Sequence, residues 1–133
     1  MATLFTRIIE GEIPCYKLAE DQHYFAFLDI RPLTKGHALV IPKQESDYIF
    51  RMDDQALSGL MVFAKRVALA LEQAVSCARI GVAVIGLEVP HTHVHLVPIN
   101  EVGDINFKKP PVDVAPAEME DLAMRVAQRC SGQ

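Results

Sequence analysis

The sequence predicts an α+β domain: a five-stranded antiparallel sheet with one long helix and short flanking helices. Two patterns carry this reading. Five short β-prone segments fall into a group of three and a group of two, with links too short for parallel crossovers. Between the groups lies the longest stretch of helical periodicity, opening at Asp53-Asp54 and running to about Val75. At 133 residues, half hydrophobic and 23% charged, the chain has the composition of a single globular domain with a sizeable core. That domain is expected to span 1–133, with a core over about 3–107 and a helical extension over about 108–133.

The elements follow in order. Thr3 is a suitable N-cap for a short helix over 4–10, whose Leu4, Phe5, Ile8 and Ile9 share one side, and Gly11 stops it. Residues 16–20 and 24–30 read as strands around the polar turn Asp21-Gln22-His23. A Pro- and Gly-containing loop over 31–36 leads to a third strand over 37–41, closed by Pro42. In the long helix, Leu57, Leu60, Met61, Ala64, Val67, Ala68 and Leu71 recur at spacings of three and four. Residues 79–86 are an almost unbroken Val- and Ile-rich run, which predicts a central strand buried on both faces. A fifth strand follows, carrying histidines; Pro90 confines it to an edge position or to the strand's start. Residues 108–116 are a Pro-rich connector, and 116–130 a last amphipathic helix with Met119, Leu122, Val126 and Arg129 along one stripe.

Composition excludes several functions. A net charge of −4 gives no basic surface for a phosphate backbone, so no nucleic-acid partner is expected. Cys15, Cys77 and Cys130 are odd in number and far apart, as suits reduced thiols rather than a disulfide framework. The first residues lack the apolar region of a signal peptide, and no apolar run approaches the ~20 residues that span a bilayer. The expectation is a cytoplasmic protein without a membrane partner.

The chemistry concentrates in His91-Thr92-His93-Val94-His95-Leu96-Val97. Alternate residues of a strand share a face, so a regular strand here presents three imidazoles to one surface. A structural role explains one such histidine better than three, because unpaired polar groups on a buried face cost about 1–3 kcal/mol each. A shared metal fits poorly. Neighbours in such a row stand ~6.6 Å apart and the outer two ~13 Å, too far for one coordination shell. Covalent catalysis at phosphorus uses all three positions. One imidazole attacks, a second donates hydrogen bonds to the phosphoryl oxygens and a third orients the nucleophile, beside backbone N–H groups near Gly86.

This run resembles the His-φ-His-φ-His-φ-φ motif of the histidine-triad superfamily of nucleotide hydrolases and transferases, with Thr92 the loosest fit. The resemblance extends to Leu4-Phe5-Thr6-Arg7-Ile8-Ile9-Glu10-Gly11-Glu12-Ile13-Pro14, to Phe25-Ala26-Phe27-Leu28-Asp29-Ile30 and to Gly36-His37-Ala38-Leu39-Val40-Ile41-Pro42-Lys43. It covers about residues 3–100, nearest to the branch of histidine-triad nucleotide-binding proteins. The resemblance implies that His93 is the nucleophile, that His95 contacts the phosphate, that His91 positions His93, and that His37 is a further active-site histidine. It implies that Asp29 accepts hydrogen bonds from the ribose hydroxyls, although a turn-forming role suits an aspartate there equally. Phe5, Ile8, Phe27, Leu28 and Ile30 are implied to line the base pocket; as residues, each serves equally well as plain core. Gly86, Leu87, Glu88 and Val89 are implied to flank the phosphate.

Three departures bear on rate. Leu87 stands where the family often has a glutamine that donates to the phosphate, and an asparagine common just upstream is missing. Glu88 adds a negative charge near the leaving group, which favours a cationic or amine leaving group. The paired cysteines that hold zinc in some bacterial members are absent, so no metal and no other cofactor is expected. The sequence thus predicts a nucleotide-binding hydrolase acting on nucleoside monophosphate esters, anhydrides or phosphoramidates, in a homodimer whose two sheets join. The rivals are a dinucleoside polyphosphate hydrolase, a nucleotide-binding module with little catalysis, and a metal-dependent enzyme.

Overall fold

The computed structural model describes residues 2–131. Helix α1 (Leu4–Ile9) is capped as its sequence requires: Thr3 is extended and its side chain accepts from the Thr6 amide. Gly11, at φ 82°, takes the left-handed conformation that ends it. Strands β1 (Lys17–Glu20), β2 (Tyr24–Leu28) and β3 (Ala38–Pro42) follow, then α2 (Asp54–Ala74), β4 (Arg79–Ala83), β5 (Val94–Ile99) and α3 (Pro116–Ser131). Asp53 caps α2 by accepting from the Ala56 amide at 2.8 Å, so the acidic start serves as both cap and dipole partner. The strands form one antiparallel sheet in the order β1-β2-β3-β5-β4.

Period-two alternation divides the core into two layers. Ala26, Leu28, Ala38, Val40, Val94 and Leu96 face α2 and α3, joining Leu60, Val67, Leu71, Leu122 and Val126. Phe25, Phe27, Leu39 and Ile41 face the other way and pack with Phe5 and Ile8 of α1. His95 lies between Val94 and Leu96 on β5 and so shares the α1 face. Helix α3 buries Met119, Leu122, Ala123, Val126 and Cys130 in the larger cluster, so the C-terminal segment builds the core rather than decorating it.

Three expectations are corrected. The run from residue 79 is no central strand: β4 ends at Ala83, pairs only with β5 at the sheet's edge, and leaves Val82 exposed. The histidine-bearing strand is interior, between β3 and β4, and Pro90 lies ahead of it. Its other proline, Pro98, sits beyond the stretch where β5 pairs with β3. The Pro98 carbonyl there accepts the Thr34 hydroxyl at 2.8 Å, so the missing N–H falls where the β3 ladder has ended. Finally, Leu28 cannot line a pocket on the α1 face. Its neighbour Phe27 does face α1, and adjacent strand residues point to opposite sides, so Leu28 is 1% exposed in the helix-side core.

Leu28→Ala should therefore lower the free energy of unfolding by about 2–5 kcal/mol, read by urea denaturation. A loss below ~1 kcal/mol would place this side chain outside the core.

Candidate active site

Four histidines meet on the α1 face where β3 and β5 lie side by side. His37 immediately precedes β3 and His95 lies on β5, and the pairing of Leu39 with His95 fixes their approach. His91 and His93 precede β5, which begins only at Val94, so the expected regular row of three is instead one strand residue and two on its approach. The departure draws the rings together: the His93 and His95 centroids are 4.9 Å apart. Loop residue Ser46 holds this approach, its carbonyl accepting both the Thr92 amide at 2.6 Å and the Thr92 hydroxyl at 2.7 Å.

Hydrogen-bond partners determine where each imidazole carries its proton. The Leu33 amide donates to His37 Nδ1 at 3.0 Å, which leaves the His37 proton on Nε2. That Nε2–H points to His95 Nδ1 at 3.0 Å, which in turn puts the His95 proton on Nε2. His93 Nδ1–H donates to the His91 carbonyl at 2.8 Å, so His93 Nε2 carries a free lone pair. His91 Nε2–H donates to the Pro42 carbonyl at 2.7 Å, and its Nδ1 receives the Thr3 hydroxyl at 2.7 Å. The result is one imidazole with an unshared lone pair beside another with a free N–H.

Burial keeps His37, His91 and His95 neutral. It pushes the His95 pKa down to about 3, with the charges of His37 and His93 adding to the depression. It also lowers His37, against the pull of Asp29, and His91, against the Pro42 carbonyl and Glu45. Among the described residues, none of these three shifts is caused by a lysine or arginine. His91 and His37 are sealed at 0% and 2% exposure, whereas His93 and His95 reach the surface at 7% and 8%.

Asp29 follows β2 beside this cluster. One carboxylate oxygen accepts the Arg31 amide at 2.9 Å, making the turn the sequence allowed, and the other lies 3.6 Å from His37 Nε2. Asp29, His37 and His95 thus bring three potential metal ligands within 4.8 Å. The Leu33 amide opposes that use, because it holds on His37 Nε2 the proton a metal would have to replace.

The remaining expected residues divide. Phe5 packs edge-on against His93 at 4.9 Å, His91 at 5.7 Å and Phe27 at 5.7 Å, and Ile8 joins the same cluster. Ile30 is 73% exposed past the end of β2, outside both clusters. Gly86 adopts φ 74°, Leu87 and Glu88 are exposed, and Val89 packs against the α1-side cluster. None of the described hydrogen bonds is donated by the Gly86, Leu87 or Glu88 amides.

Three contributors escaped the sequence reading. Phe107, beyond β5, packs against His95 at 4.6 Å and His37 at 6.2 Å. A lone aromatic between Asn106 and Lys108 was the available signal. Thr3 was legible as a cap but not as a partner of His91, and nothing marks the Leu33 amide in advance. Cavities of about 420 Å³ near Cys77 and Arg125, and about 630 Å³ near His23 and Arg51, contain none of the four histidines.

Comparison with known proteins agrees with this arrangement. The HIT domain family model matches residues 10–102. A HIT-like protein of Borreliella burgdorferi is 34% identical over 132 residues, 93% of this chain and 95% of its own. An adenosine 5'-monophosphoramidase of Schizosaccharomyces pombe is 31% identical over 131 residues, 97% of this chain and 98% of its own. Among solved structures, a histidine triad nucleotide-binding protein of Sulfolobus tokodaii superposes with a TM-score of 0.81 at 28% identity, covering 96% of this chain and 91% of that one. A zinc-bound histidine triad family protein of Mycobacterium smegmatis gives 0.84 at 25% identity, covering 99% and 95%.

Neutral burial of three histidines has a thermodynamic consequence. Each has a folded pKa below its unfolded value of about 6.5, so the unfolded state takes up protons first as pH falls. Stability is complete above that value and declines below it, by up to about 1.4 kcal/mol per pH unit for each histidine. Urea denaturation between about pH 7 and pH 5 should show this decline, and His95→Asn should reduce its slope. An unfolding free energy flat across that window would contradict the neutral assignment.

Proposed function

The chain belongs to the HIT-domain family, and from that premise we propose that it hydrolyses nucleoside monophosphate esters, anhydrides or phosphoramidates through a covalent nucleotidyl intermediate on His93. One observation carries the reading: the His93 Nδ1–H bond to the His91 carbonyl leaves Nε2 as an in-place nucleophile beside the His95 N–H. Kinship with adenosine 5'-monophosphoramidases supports a nucleotide hydrolase at the family level.

In the proposed reaction the His93 Nε2 lone pair attacks phosphorus and the bond to the leaving group breaks, its electron pair going to the leaving atom; a leaving amine takes up a proton from solvent as it departs. The His95 Nε2–H and the free amides of residues 86–88 donate to the phosphoryl oxygens as charge builds on them. Water then attacks the same phosphorus and releases one proton to solvent. The nitrogen–phosphorus bond breaks, the nucleoside monophosphate leaves and the lone pair returns to His93. His37 serves His95 by occupying its Nδ1. Phe5, Ile8 and Phe27 are the apolar wall offered to the base, and Asp29 the acceptor offered to the ribose.

Charge favours phosphoramidates over dinucleoside polyphosphates. The histidines that flank His93 are neutral and influenced by no cation, whereas each added phosphate brings negative charge that the site does not balance. Glu88 acts in the same direction by favouring a protonated amine. A homodimer formed through the β4 edge is part of this reading. It is supported by that strand's single pairing and by exposed Val82, with Val62 and Leu69 exposed on α2.

Rapid quenching with adenosine 5'-phosphoramidate should show a protein mass increase of one nucleoside monophosphate, absent in His93→Ala. Steady-state release of adenosine monophosphate should fall at least ~1,000-fold in that variant. Undiminished turnover by His93→Ala would overturn the mechanism. Tight nucleotide binding by the unmodified protein without turnover on any phosphoramidate or polyphosphate would leave a binding module.

A further inference from the structure

Thr3 lies outside the residues the family model matches, yet its side chain reaches across 88 positions to His91. The hydrogen-bond partners around it leave little freedom. Its Oγ1 already accepts the Thr6 amide at 3.1 Å, as an N-cap does. The Thr6 hydroxyl donates its own proton to Glu45, and the Thr3 amide donates to the same carboxylate oxygen at 3.0 Å. These two hydrogen bonds hold the Glu45 carboxyl below the usual range, so it stays an acceptor. Two acceptors lie within reach of the Thr3 hydroxyl proton, Thr6 Oγ1 at 3.2 Å and His91 Nδ1 at 2.7 Å, and the shorter contact assigns the proton to His91.

His91 requires this partner. It is fully buried, and its one proton goes to the Pro42 carbonyl at 2.7 Å. Without a donor at Nδ1, that nitrogen would carry an unsatisfied lone pair in the protein interior. The ring held at both ends fixes its own backbone, whose carbonyl receives His93 Nδ1–H at 2.8 Å.

We propose that Thr3, anchored by Glu45, is a positioning residue for the nucleophile: its hydroxyl fixes the tautomer and place of His91, and through the His91 carbonyl those of His93. The inference rests on the reading of His93 as nucleophile. It also makes α1 more than a wall for the base, since its N-cap completes the histidine cluster from outside the matched stretch.

The test compares three substitutions that separate capping from donation. Thr3→Ser keeps both functions, Thr3→Asp keeps the cap but has no proton to give, and Thr3→Val has neither. With adenosine 5'-phosphoramidate as substrate, Thr3→Ser should stay within about twofold of the unmodified kcat, while Thr3→Asp and Thr3→Val fall about tenfold with KM changed less than twofold. Nitrogen-15 spectra of the histidine rings should show the His91 proton on Nε2 in the unmodified protein and in Thr3→Ser. In Thr3→Asp and Thr3→Val the His91 signals should change and the His93 Nδ1–H signal should move with them. Full kcat in Thr3→Asp would overturn the proposal, because capping alone would then account for the residue. So would a His91 proton found on Nδ1, or a His93 signal unmoved in the variants, neither of which needs Thr3→Val to fold. An unmodified protein that releases no nucleotide would defeat the hydrolase reading alone, with the spectra still deciding the role of Thr3.

Discussion

A neutral imidazole has one proton for two nitrogens, and the site of this protein depends on where four such protons are placed. Burial without a neighbouring cation keeps His37, His91 and His95 neutral. Every nitrogen facing the interior then needs a partner of the right polarity, since an orphaned one costs about 1–3 kcal/mol. The chain supplies them from scattered places: the Leu33 amide, the Pro42 and His91 carbonyls, the Thr3 hydroxyl. After those are assigned, what remains is a lone pair on His93 and an N–H on His95. The reactive pair is the remainder of a structural requirement for satisfied hydrogen bonds.

The sheet makes that requirement attainable. β3 and β5 are antiparallel neighbours although β4 intervenes in sequence, so His37 and His95 meet across a ladder rather than through a loop. Their faces are set by Ala38, Val40, Val94 and Leu96, which are drawn to the opposite side by the α2 and α3 core. A slip of one residue in either strand would turn its histidine toward the helices. The apolar packing on one side of the sheet thus fixes the polar geometry on the other.

Much of this was legible because it is local. The Thr3 cap, the acidic start of α2 and its period each depend on neighbours in sequence, and each stands in the structure; of the alternating histidines only His95 falls within the strand. That alternation named His91, His93 and His95 among the four histidines that converge, while His37 came from the family resemblance. What sequence could not supply was pairing. An apolar run such as 79–86 looks the same whether flanked by two strands or by one, and only the β5 register shows β4 to be an edge. Leu28 was misassigned for a related reason: the resemblance grouped it with Phe27, while the period of two separates them. Phe107 reaches His37 over a long sequence separation, and Leu33, although close to His37 in sequence, acts through a backbone group that every residue except proline carries. Residue identity holds no trace of such a role.

The same desolvation that readies the site also limits it. A histidine with a low pKa stays unprotonated in mildly acidic solution, so the nucleophile's neighbours do not acquire charge and the His37–His95 bond keeps its direction. The unfolded chain pays no such desolvation and binds protons freely, so acid shifts the balance toward it. Relieving this by exposing the rings would raise their pKa values and scramble the tautomers that define nucleophile and donor. Placing a lysine or arginine nearby would depress them further while adding an unpaired charge to a dry site. Neutral, buried and fully partnered is therefore the arrangement in which a histidine cluster can present one lone pair and one N–H to a phosphoryl group, and it makes acid sensitivity inseparable from the chemistry.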